Sequence, residues 1–489
     1  MLLRIGSVRS RRTAALLSVV ALGAALRLFA LDAESLWNDE LAAWFQSSSA
    51  LSLHAVLEHA RRDVHPPGYL VLLHLVQTAF GDSERVLRGP SAIAGILSIL
   101  FMYRVGTAFY CRSVGIVAAA VLAASWNPIY YSQEARAYAL IMLLVLASVH
   151  QAWWMLASLD GAPSRLRGAT ALYVLCAAST CYVHYFGLLF VGLLGIALLF
   201  LENRRARSVF AGAHMLVAVL FAPWVPSMVE QMATDRAGFW LQEPRLLGTM
   251  GGVFFFCFRV PGTFGILTIA PLLVFLAVRT VSALGRHRVG RSPLPRLLSS
   301  DLLVLSWAAA PFLAAYALSH LLTPILTFRN LIVVIPAVYL MLARGLSLVP
   351  WVPVRRVWSA LVLSGIVFGL FEGGFYGSTR KEQFREAARY VVDHDDSLPV
   401  VAYAFGKHHF DYYFERMGSL ARVELLAGGD RDEVATVEAL VQARGARAFW
   451  FVAGHREPDL EFLASLRHAF QLRLHARYVG ASASLYSVE

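Results

Sequence analysis

Long apolar runs separated by short polar connections fill the first three quarters of the chain. They fall at roughly 13–31, 90–109, 113–129, 138–158, 168–183, 187–201, 209–226, 264–284, 301–321, 330–347 and 357–376. Most approach the ~20 residues with which a helix crosses a bilayer, so the pattern predicts about eleven transmembrane helices. Segment 67–80 differs: it has about 14 residues, carries His74 and Gln77, and opens on a Pro-Pro pair. That length and polarity fit an interfacial helix better than a span. After about residue 377 the apolar runs stop and charge becomes frequent. Phe384–Asp393 has helical spacing, Val400–Phe405 and Ala448–Val452 read as strands, and Arg431–Ala443 and Asp459–Phe470 read as amphipathic helices. The alternation predicts a small α/β domain over 377–489, appended to a membrane domain over 1–376.

Composition agrees. The chain has 489 residues, 58% hydrophobic and 15% charged, against about 25% charged in soluble domains. Mean hydropathy is +0.58, which indicates a polytopic membrane protein. The net charge of +11 sits in arginine clusters between apolar runs, where cytoplasmic loops carry it, and no basic face or aromatic platform suggests nucleic acid. Arg4, Arg9, Arg11 and Arg12 precede an apolar run of about 18 residues, long enough for an uncleaved first helix rather than a signal peptide. Cys111, Cys176, Cys181 and Cys257 lie in or beside apolar segments without a CxxC pair, and read as small buried hydrophobes.

Parity orders the connections. With the N-terminus inside and 67–80 not crossing, five basic groups share the inner side. They are Arg104 and Arg112; Arg165 and Arg167; Arg204, Arg205 and Arg207; Arg286, Arg288, Arg291 and Arg296; and Arg355 and Arg356. Residues 32–89 then form one long external loop carrying two or three interfacial helices. Segments 130–137, 184–186, 227–262 and 322–329 and the C-terminal domain are external by the same count.

The polar motifs all fall on that outer side. Leu36-Trp37-Asn38-Asp39-Glu40 follows the first apolar run, and Trp37 and Trp44 flank its two acids as interfacial anchors would. The acids are either solvated loop residues or a catalytic pair, with Asp39 as general base for a hydroxyl acceptor. Arg27, inside the first span, calls for an interior partner or cavity. His65-Pro66-Pro67-Gly68-Tyr69 starts a helix at a set angle. His65 there is a surface histidine, a phosphate contact, or a ligand for a divalent metal shared with a carboxylate; one histidine and one acid do not by themselves make a metal site. In Tyr130–Tyr138, Glu134 and Arg136 either cap the next helix as a local pair or, with Tyr131 and Tyr138, line a phosphosugar pocket. His184-Tyr185 and Arg329-Asn330 complete the set. Arg329 is a snorkelling boundary residue or a bidentate contact for a lipid phosphate. The sequence has no Walker lysine loop, GxSxG or HExxH. An enzyme working outside, away from nucleotides, needs a membrane-bound activated donor.

The ordered set resembles the bacterial GT-C glycosyltransferases. Leu26-Arg27-Leu28, Trp37–Glu40, His65–Tyr69, Leu87-Arg88-Gly89-Pro90-Ser91-Ala92, Tyr130–Leu140, Tyr182–Phe186 and Phe328–Leu331 carry the likeness, which covers about residues 1–350. More narrowly they are similar to the protein O-mannosyltransferase-like group, which includes the lipid A aminoarabinose transferase and the rhizobial lipopolysaccharide galacturonosyltransferases. The resemblance implies a GT-C fold, a polyprenyl-phosphate sugar donor and periplasmic transfer to a glycan, lipid or protein hydroxyl in a bacterial inner membrane. It also implies Asp39 as base, beside Glu40; Arg27, His65, Tyr69, Tyr131, Glu134, Arg136, Tyr138, His184, Tyr185 and Arg329 are the candidate substrate contacts. The aminoarabinose transferase has Lys where this chain has His65, and members of the group differ in metal dependence, so no cofactor is assigned. A lipid-linked sugar flippase or transporter is the rival reading. It calls for repeats and broken mid-membrane helices, and the sequence shows neither. Topology reporters fused within 184–186 and 322–329 should read the outer side; a cytosolic signal from either overturns the parity.

Overall fold

The computed structural model describes residues 2–234, 243–288, 300–322, 324–395, 397–419, 423–426 and 433–488. Arg291, Arg296 and Arg431 lie outside them, as do the side chains of Arg4, Arg9, Arg11, Arg12, Arg286 and Arg288. The chain forms two compact units. The first is Met1–Phe29, Leu51–Leu75 and Arg88–Phe375; the second is Ala30–Ala50, Val76–Leu87 and Tyr376–Glu489. The long first loop, expected to belong whole to residues 1–376, is therefore divided between the units.

All eleven expected membrane segments are helical. Among the described residues, eight helices are long and apolar enough to cross a membrane, or nine if the bent pair Arg112–Ala124 and Trp126–Ser132 is one span. Thr13–Leu28, the apolar part of helix Leu2–Leu28, and the shorter helix Tyr185–Leu199 occupy the two other expected positions. The first loop holds three helices: Asn38–Gln46, Leu53–Arg62 and Gly68–Phe80. Leu246–Phe258, inside what read as a connection, and His408–Arg416, in the C-terminal region, are helices that were not expected.

The bent pair is the key to the first unit. Helix Arg112–Ala124 stops at Ser125, whose backbone is extended, and the chain turns by 61°. Pro128 explains the stop, because it has no N–H to offer the Ala124 carbonyl four residues back and its ring would crowd that oxygen. The turn frees the last carbonyls of the first half. Arg27, fully buried, meets them: Nη1 donates to Ala123 O and to Gly23 O, each at 3.0 Å, and Nη2 donates to Leu122 O at 3.0 Å. A cation at a helix C-terminus also suits the dipole there. Gln133 returns the favour. Its Nε2 donates to the carbonyls of Arg27 at 3.2 Å and Phe29 at 2.8 Å, closing the end of helix Leu2–Leu28. Helix Glu84–Phe109 approaches this knot at Gly95, where a Cβ would strike the Ser132 side chain and come within 2.9 Å of Arg27 Nε.

The second unit contains a five-stranded mixed sheet: β1 Val400–Tyr403, β2 Val423–Leu425, β3 Ala448–Gly454, β4 Gln471–Tyr478 and β5 Ala481–Ser487, in the order β2-β1-β3-β5-β4. β1 runs parallel to β2 and β3, with Val400 opposite Val423 and Trp450; β5 runs antiparallel to β3 and β4. Apolar side chains on one face, including Val401, Phe449, Phe451 and Tyr486, bury against Val437 and Leu466 of the covering helices. The two loop segments join this unit by polar contacts. Arg380 pairs with Glu34 at 2.9 Å, Arg385 with Glu84 at 2.8 Å, and Trp44 Nε1 donates to Asp82 at 2.8 Å.

Replacing Arg27 by Leu leaves buried carbonyls without donors, at about 1–3 kcal/mol each. Thermal unfolding in detergent should fall by about 5 °C or more. Lysine should recover only part, since one ammonium cannot reproduce the guanidinium fork. An unchanged midpoint in Arg27→Leu would show that the knot does not hold the break.

Candidate functional site

In the first unit the polar motifs gather around His184. This residue ends helix Pro163–Val183 and caps helix Tyr185–Leu199: its Nδ1 accepts the Phe186 N–H at 3.1 Å. Gly68 brings His65 to it. The start of helix Gly68–Phe80 lies so close to the Tyr182 carbonyl that a Cβ at position 68 would sit 2.7 Å from that oxygen. The His65 and His184 rings meet edge to face, with centroids 4.8 Å apart. Tyr138 lies 5.9 Å from His184 and 4.9 Å from Tyr131, forming an aromatic wall. Glu134 is buried and Arg136 is half-buried in the turn between helices Trp126–Ser132 and Tyr138–Ala157. Ser91 Oγ holds that turn by donating to Arg136 O at 3.0 Å, and lies 3.1 Å from Tyr69 Oη.

Arg329 opens the 3-10 turn Arg329–Val334. The preceding segment is pinned by Ser319 Oγ, which accepts from Ile325 N and Leu326 N, and by Asn330 Nδ2, which donates to Ile325 O at 3.1 Å. Burial pushes His184 well below the usual histidine range, and charge on His65, Arg136 and Arg329 acts in the same direction. Since its Nδ1 accepts, the neutral ring carries its proton on Nε2. That atom is buried without a hydrogen-bond partner among the described residues. Two guanidinium groups whose charge acts on His184, together with its neutral N–H donor, suit a phosphate.

Two expected contacts are engaged otherwise. The terminal nitrogens of Arg27 hold backbone carbonyls, as above. Tyr185 donates to Gln231 Oε1 and accepts from Trp224 Nε1 at 3.1 Å, while Gln231 Nε2 donates to Ala60 O at 2.7 Å, so it ties helices together.

Asp39 and Glu40 belong to the second unit, in the first turn of helix Asn38–Gln46. The Glu40 carboxylate is fully buried. It accepts from Trp37 N at 3.4 Å and pairs with Lys381 Nζ at 3.0 Å. Asp39 is half-buried, and its Oδ1 accepts from Asn38 Nδ2 at 3.2 Å. The next residue along, Glu382, accepts from Asn38 N at 2.9 Å through its carboxylate and from Ser35 Oγ through its backbone carbonyl. Sequence reasoning missed Lys381 and Glu382. The charged run after residue 377 marked a new domain, but nothing local announced a partner 341 positions away. It also missed Arg259, the residue after helix Leu246–Phe258. Arg259 takes a left-handed backbone (φ +44°) and lays its guanidinium 3.6 Å from the Trp126 ring centroid. Phe256 of the same helix packs on Tyr131 and stacks on Phe328. Among the described residues, no three or more His, Cys, Asp or Glu side chains gather into a metal-binding group.

This fold, a polytopic helical domain with a small mixed-sheet domain, is that of the GT-C glycosyltransferases. No known family model matches the sequence, and no curated protein matches it. Among solved structures, ArnT from Cupriavidus metallidurans in the apo state is similar at 13% identity and a TM-score of 0.57, over 97% of this chain and 98% of that one. The same protein bound to undecaprenyl phosphate is similar at 12% identity and 0.57, over the same shares. The archaeal oligosaccharyltransferase AglB from Archaeoglobus fulgidus, in complex with an inhibitory peptide and a dolichol-phosphate, matches at 12% identity and 0.57, over 98% of this chain and 74% of that one.

The depressed basicity of His184 has a stability consequence. The unfolded chain binds its proton near pH 6.5 and the folded chain does not, so stability falls as pH drops below about 6.5. His184→Gln should flatten that slope. Thermal unfolding of both proteins at about pH 7.5 and 5.5 would test it; parallel losses would show that His184 is not the group responsible.

Proposed function

We propose that this protein is an inverting glycosyltransferase. It moves a sugar from a polyprenyl-phosphate donor to a hydroxyl of an envelope lipid, polysaccharide or protein, on the periplasmic side of a bacterial inner membrane. The observation that carries the reading is the meeting of His65, His184, Arg136 and Arg329 within a chain of GT-C fold. Structures of two similar folds were solved with a polyprenyl-type phosphate bound, which supports the same donor class here.

In this mechanism Asp39 accepts the proton of the acceptor hydroxyl as its oxygen attacks the anomeric carbon. The bond from that carbon to the phosphate oxygen breaks, and the configuration inverts. Negative charge grows on the departing lipid phosphate. In this reading Arg136, Arg329 and the Nε2–H of His184 receive it, with His65 beside His184. A neutral His184 is an advantage in this role, because it donates without a counter-charge and without competing with the arginines. Tyr131 and Tyr138 supply a flat wall for the sugar, while Tyr69, through Ser91, steadies the Arg136 turn. Glu40, engaged by Lys381, fixes the helix that presents Asp39, and Arg27 and Tyr185 serve as scaffold.

Asp39→Asn should lower transfer by about 10²–10⁴-fold, measured with purified protein, a panel of polyprenyl-phosphate sugars and extracted envelope lipids. Its elution profile should match wild type. Near-normal transfer by this variant rejects Asp39 as the base.

A further inference from the structure

A hydrogen-bonded chain in the second unit reaches Asp39 from the C-terminal domain. His409, on helix His408–Arg416, is buried and its Nδ1 lies 2.7 Å from Gly406 O. Its Nε2 lies 2.8 Å from Asn38 Oδ1, across 371 positions of sequence. The other end of the same amide, Nδ2, donates to Asp39 Oδ1.

The polarity of these bonds is restrictive. Gly406 O only accepts, so Nδ1 must carry a proton. Asn38 Oδ1 only accepts, so Nε2 must carry one as well. Both are met by an imidazolium, with the Asp39 carboxylate as its counter-charge through the amide. A neutral His409 protonated on Nδ1 instead needs the amide turned over, with Nδ2 toward Nε2. Asn38 Oδ1 then faces Asp39 and calls for a protonated carboxyl. An amide has one donor end and one acceptor end, so it ties the two ionisable groups together in opposite senses.

Other groups around the ring set the balance. The His408 ring lies 4.3 Å away and Phe384 5.5 Å, centroid to centroid. His455, paired with Glu382 at 2.5 Å, also acts on the ring, while Lys407 and Asp411 of its own helix pair with each other at 3.9 Å. Burial pushes the imidazolium down, the Gly406 carbonyl and Asp39 oppose that, and His455 adds to it; the geometry, an acceptor at each ring nitrogen and an amide N–H on Asp39, is decisive for the doubly protonated ring.

We infer that His409 is a positioning residue for the reaction proposed above, orienting the Asp39 carboxylate through the Asn38 amide. The inference rests on the glycosyltransferase reading. It gives the C-terminal domain a part in the chemistry, beyond shape.

The test uses the full chain in detergent, with polyprenyl-phosphate sugars as donors and extracted envelope lipids as acceptors. His409→Leu should lower kcat by about 10- to 100-fold, with the donor KM within about twofold. Its acid limb should move to higher pH, because a carboxylate that loses a donated hydrogen bond is easier to protonate. His409→Gln, which keeps an N–H near the place of Nε2, should restore most of kcat and the original limb. Asn38→Ala should reproduce the leucine phenotype, and the double variant should be no worse than either single one. If His409→Leu does not fold, Asn38→Ala carries the same readouts. Wild-type kcat and acid limb in these variants overturn the inference, as does a loss of kcat with an unmoved limb that Gln fails to restore. No transfer by the wild-type chain with any donor overturns the glycosyltransferase reading itself, and this inference with it.

Discussion

A helix that breaks inside an apolar domain must find donors for the carbonyls it frees, because hydrocarbon supplies none. In this protein one arginine meets that demand. Arg27 takes the Leu122 and Ala123 carbonyls, and Gln133, just past the second half-helix, closes the helix that carries Arg27. The two breaks therefore stabilise each other. The residues beyond the turn, Glu134 to Tyr138, owe their position to this exchange, and with it the wall and the cation beside His184. Of the two readings open for this intramembrane charge, an interior partner or a cavity, the carbonyls of the broken helix supply the first.

The two clusters handle buried polarity in different ways. Around His184, burial, reinforced by His65, Arg136 and Arg329, keeps the imidazole neutral, so the ring contributes a donor only. Around Asp39 the balance is by pairing: Glu40 with Lys381, Glu34 with Arg380, Glu84 with Arg385. A buried pair such as Glu40–Lys381 adds little net stability over an apolar substitute, yet removing one partner is costly. Its worth here is geometric: it sets the first turn of helix Asn38–Gln46 at the chain's catalytic candidate.

Much was legible in the residue order. All eleven apolar segments are helices, and the two strands and three helices expected after residue 377 are there, while helix His408–Arg416 and the strands Val423–Leu425, Gln471–Tyr478 and Ala481–Ser487 were not foreseen. The order of polar motifs pointed to the GT-C fold, which the solved structures share. Other features were not. Helix Leu246–Phe258 is rich in Gly and Phe and only 13 residues long, below the length at which hydropathy separates a helix from a connection. The first loop read as one external segment, yet Leu51–Leu75 belongs to the helical unit while its flanks belong to the unit of the C-terminal domain. Tyr185, next to His184 in the chain, turns to Trp224 and Gln231 instead.

Hydropathy and chain length are sums over neighbouring residues, so the amino-acid order alone determined helix positions, the change of composition near residue 377 and the sequence of polar turns. Partnership is not such a sum. Whether Arg27 meets a ligand or a carbonyl, whether Glu40 is solvated or locked to Lys381, and whether Asn38 reaches His409 depend on segments about 100 to 370 positions apart. Only folding brings such groups within the ~3 Å over which a hydrogen bond acts, and so only the tertiary structure decided which partner each of these polar residues takes.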